Sequence, residues 1–126
     1  MITPGQLKRI ALDGLPEAIM LKRGAILFRH YEISVHAIDR FVERCDLRPD
    51  DILPMLHEAA LAFAQSIAHV GIRRVVSNAE QRGGYVLVNG NCYFIVVPDQ
   101  KHGRHVVTTV LTPRYIGQHP KTTRAA

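Results

Sequence analysis

The sequence predicts an α+β domain in which N-terminal helices pack on an antiparallel β-meander of about four strands. Three observations carry that expectation. Apolar residues recur at helical spacing in the first half of the chain, as in Val35, Ile38, Phe41, Val42 and Cys45. Beyond Gly71 the period shortens to alternation, in residues 85–88, 92–97 and 104–112. Asn89-Gly90-Asn91 separates the first two of these runs, and Asn-Gly between β-rich segments is the strongest short hairpin signal. The 126 residues fit one domain, 1–126.

The elements follow in order. Thr3 caps a short helix over 3–12, with Pro4 at the first helical position and Leu7, Ile10 and Ala11 at helical spacing. Gly14 breaks it, residues 16–20 open a second short helix, and 25–28 read as a strand. Ser34 caps the helix over 35–45. Leu47-Arg48-Pro49 ends that helix and opens a longer one over 50–68. Asp50 and Asp51 favour its positive end, Pro54 limits its first turn, and its body is rich in alanine. Residues 72–77 read as a strand, 98–103 as a polar turn and 104–112 as the last strand, stopped by Pro113. Strict alternation puts Val106, Thr108, Val110 and Thr112 on one face of that strand and Val107, Thr109 and Leu111 on the other. A basic tail follows from Gly117.

Composition narrows the function classes. At 47% hydrophobic and 21% charged, the chain is globular in character. Cys45 and Cys92 lie in apolar contexts without a CxxC partner and read as reduced core residues, with a single bridge as the alternative. They fit a cytoplasmic location, as does the absence of a signal core in residues 1–24. No apolar run reaches the length of a membrane span, so no membrane partner is expected. Seven histidines match no metal-ligand spacing, and neither a metal nor a cofactor is expected. No phosphate-binding glycine loop, nucleophile elbow or carboxylate pair for two-metal chemistry is present. Charge is divided unevenly. Residues 1–58 hold eight Lys/Arg and nine Asp/Glu, net −1, while residues 59–126 hold eight Lys/Arg against Glu80 and Asp99, net +6. Such an imbalance steers polyanions towards one surface.

The chemistry-bearing segment is the helix over 35–45. His36, Arg40 and Arg44 are four apart and line one side of it, away from the apolar stripe. Arg40 and Arg44 repel one another, and an anionic ligand would relieve that. His36 sits in the first turn, where the helix dipole disfavours imidazolium, and a neutral imidazole beside guanidinium groups suits general-base attack on a phosphodiester. The structural alternative is that Arg40 pairs with Glu43 at i+3 and Arg44 merely favours the helix C-terminus. In the last strand a threonine hydroxyl on the exposed face is placed to bond a phosphate oxygen, although threonine also favours strands for its own sake. The loop Lys101-His102-Gly103-Arg104-His105, with Arg73, Arg74 and Arg82, offers phosphate contacts, and Tyr85, Tyr93 and Tyr115 offer stacking surfaces.

Taken together, Val35-His36-Ala37 with Arg40 and Arg44 on a helix, then a second helix, a meander and a final strand reading Val-Val-Thr-Thr-Val-Leu resemble the small RNase toxins grouped with barnase, EndoU, the colicin-type ribonucleases and RelE, especially their phage- and toxin-associated branches. The resemblance covers residues 33–116. Residues 1–30 have no counterpart in it and read as a helical extension. The resemblance implies a metal-independent endoribonuclease that cleaves by 2′-hydroxyl attack, with His36, Arg40 and Thr109 as catalytic residues. Arg44, Arg104, Arg114, Lys101 and Tyr115 would hold the RNA, and the Thr108-Thr109 doublet leaves the hydroxyl open between the two. The partners implied are RNA and an antidote or host protein. Two other readings use the same basic surface. One is a nucleic-acid-binding or regulatory module without chemistry, and the other a phage-type inhibitor that binds an acidic host protein.

Overall fold

The computed structural model of the protein describes residues 8–10, 14–21 and 23–118. Its architecture is α+β, built around one mixed sheet of eight strands rather than about four. The strands are β1 (Lys8–Ile10), β2 (Ala18–Met20), β3 (Ile26–Phe28), β4 (Tyr31–Ile33), β5 (Ala60–Ala62), β6 (Tyr85–Asn89), β7 (Cys92–Asp99) and β8 (Arg104–Leu111). The helices are α1 (Val35–Cys45), α2 (Ile52–His57), α3 (Val70–Gln81) and α4 (Pro113–Gln118), so helices are not confined to the N-terminal half. Strand order is β1-β2-β3-β4-β8-β7-β6-β5. All neighbours are antiparallel except β4 and β8, which run parallel and pair Tyr31 with His105, Glu32 with Val106 and Ile33 with Val107.

The elements with strong local signals form as expected. Ser34 caps α1 by accepting from Ala37 N at 3.0 Å. The hairpin β6–β7 closes with Asn89 opposite Cys92, and Gly90 supplies the positive φ of 59° at the first loop position. The final strand begins and ends within one residue of expectation.

Five elements differ, each for a physical reason. Residues 8–10 and 18–20 are strands of an N-terminal meander, not helices, because pairing with neighbours outweighs the spacing of three or four apolar residues. The rest of the helix expected over 3–12 lies outside the described residues. The helix over 50–68 is broken up. A 3₁₀ turn at Pro49–Asp51 leads into α2, which stops at His57, and Ala60–Ala62 then pairs with Val86–Val88 of β6. Residues 72–77 belong to α3, not a strand. Ile72, Val75, Val76 and Ala79 recur at helical spacing and pack on the sheet, while the His69 ring caps the helix by accepting from Ile72 N at 3.1 Å. Finally, Thr112 accepts from Tyr115 N and Pro113 starts α4, so the chain turns helical where the strand stops.

Alternation along β6 and β7 divides the core in two. Tyr85, Leu87, Cys92, Phe94 and Val96 face α1 and α2, whereas Val86, Val88, Tyr93 and Ile95 face α3 and α4. Phe41 of α1 stacks on Phe94 with ring centroids 6.2 Å apart, and both are fully buried. The buried stripe of α1 is narrower than its sequence implies. Ala37 and Phe41 fill it, and Val35 and Val42 are more than a third exposed. Cys45 and Cys92 are free thiols whose sulfurs lie 2.8 Å apart, where α1 ends and β7 begins. No helix among the described residues is long and apolar enough to cross a membrane.

One register shift has consequences for the site. Thr109 pairs with Ile95, but Val107 pairs with Val96, leaving Thr108 as a bulge. The alternation of β8 therefore changes phase. Val107 and Val110, three residues apart, both enter the first core, and Leu111 enters the second, which overturns the two-face assignment of strict alternation. Because Phe41 and Phe94 join α1 to the middle of the sheet, Phe41→Ala and Phe94→Ala should each lower unfolding free energy by about 3–5 kcal/mol in denaturant titration.

Candidate functional site

The pairing of β4 with β8 ends at Val107, and from there α1 lies along the side of β8 that β4 leaves open. Ser34 bonds the Val107 carbonyl through both its amide (3.2 Å) and its hydroxyl (3.0 Å). Arg44 Nη1 donates to the Val110 carbonyl at 2.8 Å and reaches Thr109 Oγ1 at 3.4 Å. Its guanidinium carbon stands 3.6 Å above the centre of the Tyr115 ring. Arg44 Nε is buried and makes no hydrogen bond among the described residues. Burial pulls the guanidinium below the usual arginine range, and the neighbouring Tyr115 acts in the opposite sense.

A cavity of about 490 Å³ opens between α1, α3 and the bulged part of β8. His36 and Arg44 line one wall from α1, roughly 12 Å apart along the helix at 1.5 Å per residue. Val75, Asn78, Ala79 and Arg82, at i, i+3, i+4 and i+7 of α3, line the opposite wall. Thr108 and Thr109 both border the cavity, together with Ile95, Val97 and Leu111. The bulge is what brings both threonines there. Their hydroxyls differ in use: Thr108 Oγ1 donates to the Ile95 carbonyl at 3.3 Å, and Thr109 Oγ1 accepts from Arg44. Gly84, at the return from α3 to β6, also borders the cavity. A Cβ there would stand 2.6 Å from the Val96 carbonyl, so only glycine lets α3 close this wall. No carboxylate is among the lining residues.

The structure thus brings His36, Arg44, Thr108 and Thr109 to one cavity, keeps Tyr115 against Arg44, and separates Arg40, Arg104, Lys101 and Arg114 from them. Arg40 is not part of the cavity. It bridges Glu43 at 2.7 Å on the outer side of α1, the structural alternative noted for that pair. Arg104 is held by Glu32 at 2.7 Å across the β4–β8 pair, and Lys101 is exposed at the hairpin tip, where its amide bonds Asp99. From Arg104 to Thr109 is roughly 17 Å of strand at 3.3–3.4 Å per residue. Arg114 is exposed on α4, outside the lining, while Tyr115 supports Arg44 from below. Arg82 was expected to offer a phosphate contact and does border the cavity. Asn78 went unassigned in the sequence because residues 72–77 read as a strand, and its signal is the helical spacing with Val75 and Ala79.

A second cluster lies at the other end of β8. The Tyr85 hydroxyl and His105 Nδ1 share a hydrogen bond of 2.5 Å, and the His30 ring stands edge-on to His105 at 5.0 Å. Burial, then the neighbouring Tyr31, pushes the Tyr85 phenol up; burial, then His105 and Arg29, pulls His30 down. Tyr85 is thereby engaged within the sheet rather than presented as a stacking surface. Among the described residues no group of three His, Cys, Asp or Glu is placed to hold a metal ion. Compared with protein-family models, curated proteins and solved structures, the chain finds no match.

The two arginines of α1 should separate in a stability experiment. Arg44→Met leaves the Val110 carbonyl without its donor and should cost roughly 1–3 kcal/mol. Arg40→Met removes an exposed i,i+3 pair and should change stability by about 0.5 kcal/mol or less.

Proposed function

We propose that the protein is a metal-independent endoribonuclease of the toxin type, working in the cavity between α1, α3 and β8. The observation that supports this reading is that His36, Arg44 and Thr109 all line one concave, carboxylate-free cavity. His36 removes the proton of a ribose 2′-hydroxyl, and the 2′-oxygen attacks the adjacent phosphorus. The bond to the 5′-oxygen breaks; that oxygen leaves with a proton drawn from water, and the proton on His36 returns to solvent. The products are a 2′,3′-cyclic phosphate and a new 5′-hydroxyl. Arg44, about 12 Å along α1 from His36, holds the RNA backbone beside the reacting phosphate, and Thr109 donates its hydroxyl proton to a phosphate oxygen. The phosphorane role expected of Arg40 does not pass to Arg44. Arg44 is already held by the strand carbonyl and by Tyr115, so its position is set before substrate arrives.

One observation favours the second reading, a nucleic-acid-binding module without chemistry. His36 is exposed and has no hydrogen-bond partner among the described residues to orient its ring, and general bases are ordinarily oriented by a third group.

Purified protein incubated with total RNA in EDTA decides between them. Wild type should release fragments ending in 2′,3′-cyclic phosphate, His36→Ala should lose roughly 10²–10⁴-fold in rate, and Arg40→Ala should keep most of it. RNA left intact at high protein excess, with translating ribosomes also supplied, would sink the ribonuclease reading.

A further inference from the structure

We propose that the cavity between α1 and α3 seats one unpaired nucleobase, with that nucleotide's phosphate between Arg44 and Arg82. The inference rests on the placement of the site proposed above and names its substrate class as single-stranded RNA read one nucleotide at a time. It starts from a mismatch in the lining. Two guanidinium groups and an imidazole account for an anion, yet most of the remaining wall is apolar: Val75, Ala79, Ile95, Val97 and Leu111. A phosphate gains nothing from such a wall, and the flat faces of a base do. Val97 is 44% exposed, an apolar side chain left open on a strand at the edge of this cavity.

Size and polarity point the same way. A volume of about 490 Å³ exceeds what a phosphate needs and lies within the range of roughly 300–1,000 Å³ typical of small-ligand pockets. A base stacked within a duplex cannot enter such a concavity, so the occupant is unpaired or extruded. Asn78 stands one turn before Arg82 on α3, and its amide carries both a donor and an acceptor for a base edge. An alkyl carboxylate would also satisfy a cationic rim and an apolar wall, but it offers nothing to the Asn78 amide. A nucleotide meets cation, apolar wall and amide together.

The test is calorimetric titration of the full-length protein, in EDTA, with each of the four nucleoside 3′-monophosphates, ribose 5-phosphate, inorganic phosphate and dodecanoate. At least one mononucleotide should bind about tenfold or more tightly than ribose 5-phosphate, the increment expected when a base face is buried against aliphatic side chains. Val97→Glu places a carboxylate at an exposed edge of the cavity and should abolish that binding, and Asn78→Ala should narrow the preference among the four bases; circular dichroism checks that both fold. Equal affinity for phosphate and mononucleotide overturns the proposal, as does tighter binding of dodecanoate, or mononucleotide binding that survives Val97→Glu in a folded protein. The outcome is separable from catalysis. Mononucleotide binding with RNA left intact supports the base site and removes the ribonuclease reading. RNA cleavage unaffected by Val97→Glu, without mononucleotide binding, removes the base site and leaves the ribonuclease reading standing.

Discussion

Strands β4 and β8 pair over only three residues, and the rest of the molecule is arranged around that short seam. Beyond Val107, one side of β8 carries backbone carbonyls with no strand to receive them, and burying them unpaired would cost on the order of 1–3 kcal/mol each. Helix α1 resolves this with side chains, Ser34 at its start and Arg44 at its end. A helix in the place of a strand stands higher than the sheet beside it, so it borders both faces. One stripe of α1 closes the first core through Ala37 and Phe41. The adjacent stripe, with His36 and Arg44, is left facing α3 across a gap. The cavity is a geometric consequence of filling a strand position with a helix.

Arg44 consequently has two tasks. It satisfies the Val110 carbonyl, and it contributes the cationic character of the cavity. Its planar fork of donors suits this, since one edge can hold the strand while other nitrogens face elsewhere. A lysine would bring the charge without the second direction. Stacking on Tyr115 ties the same guanidinium to α4, so the C-terminal helix, the last strand and α1 meet at one side chain. Arg40, one turn away with the same formal charge, is paired with Glu43 instead.

How much of this was legible in the sequence varied with the range of the forces involved. Helix α1 was readable to its last residue because a cap and a 3.6-residue stripe are local properties of the chain. The β6–β7 hairpin was readable for the same reason, through Asn89-Gly90. His36 and Arg44 could therefore be nominated from spacing, whereas Thr109 came from the resemblance of the final strand, with Thr108 left open beside it. The three-residue strands β1, β2 and β5 could not, since they are too short to display a period and exist only through their neighbours. Helix α3 was hidden by Ile72, Val75 and Val76, whose β-branched shape argues for a strand while their spacing argues for a helix. That misreading also concealed Asn78 and the wall it shares with Arg82. The separation of Arg40 from Arg44 depends on where β8 ends its pairing, a long-range fact that no helical wheel contains.

The bulge at Thr108 means that β8 carries one residue more than its ladder with β7 requires. Length is therefore a determinant of this site, quite apart from residue identity. A chain shortened by one residue between Val107 and Val110 would keep every hydrophobic residue of the strand and could still pair along its whole span. It would nevertheless erase the bulge, leaving Val110 in the first core and Leu111 in the second by plain alternation, with one threonine instead of two at the cavity. Among sequences related to this one, a gap at that point would mark those that keep the scaffold and the apolar wall but bring a single hydroxyl to the cavity.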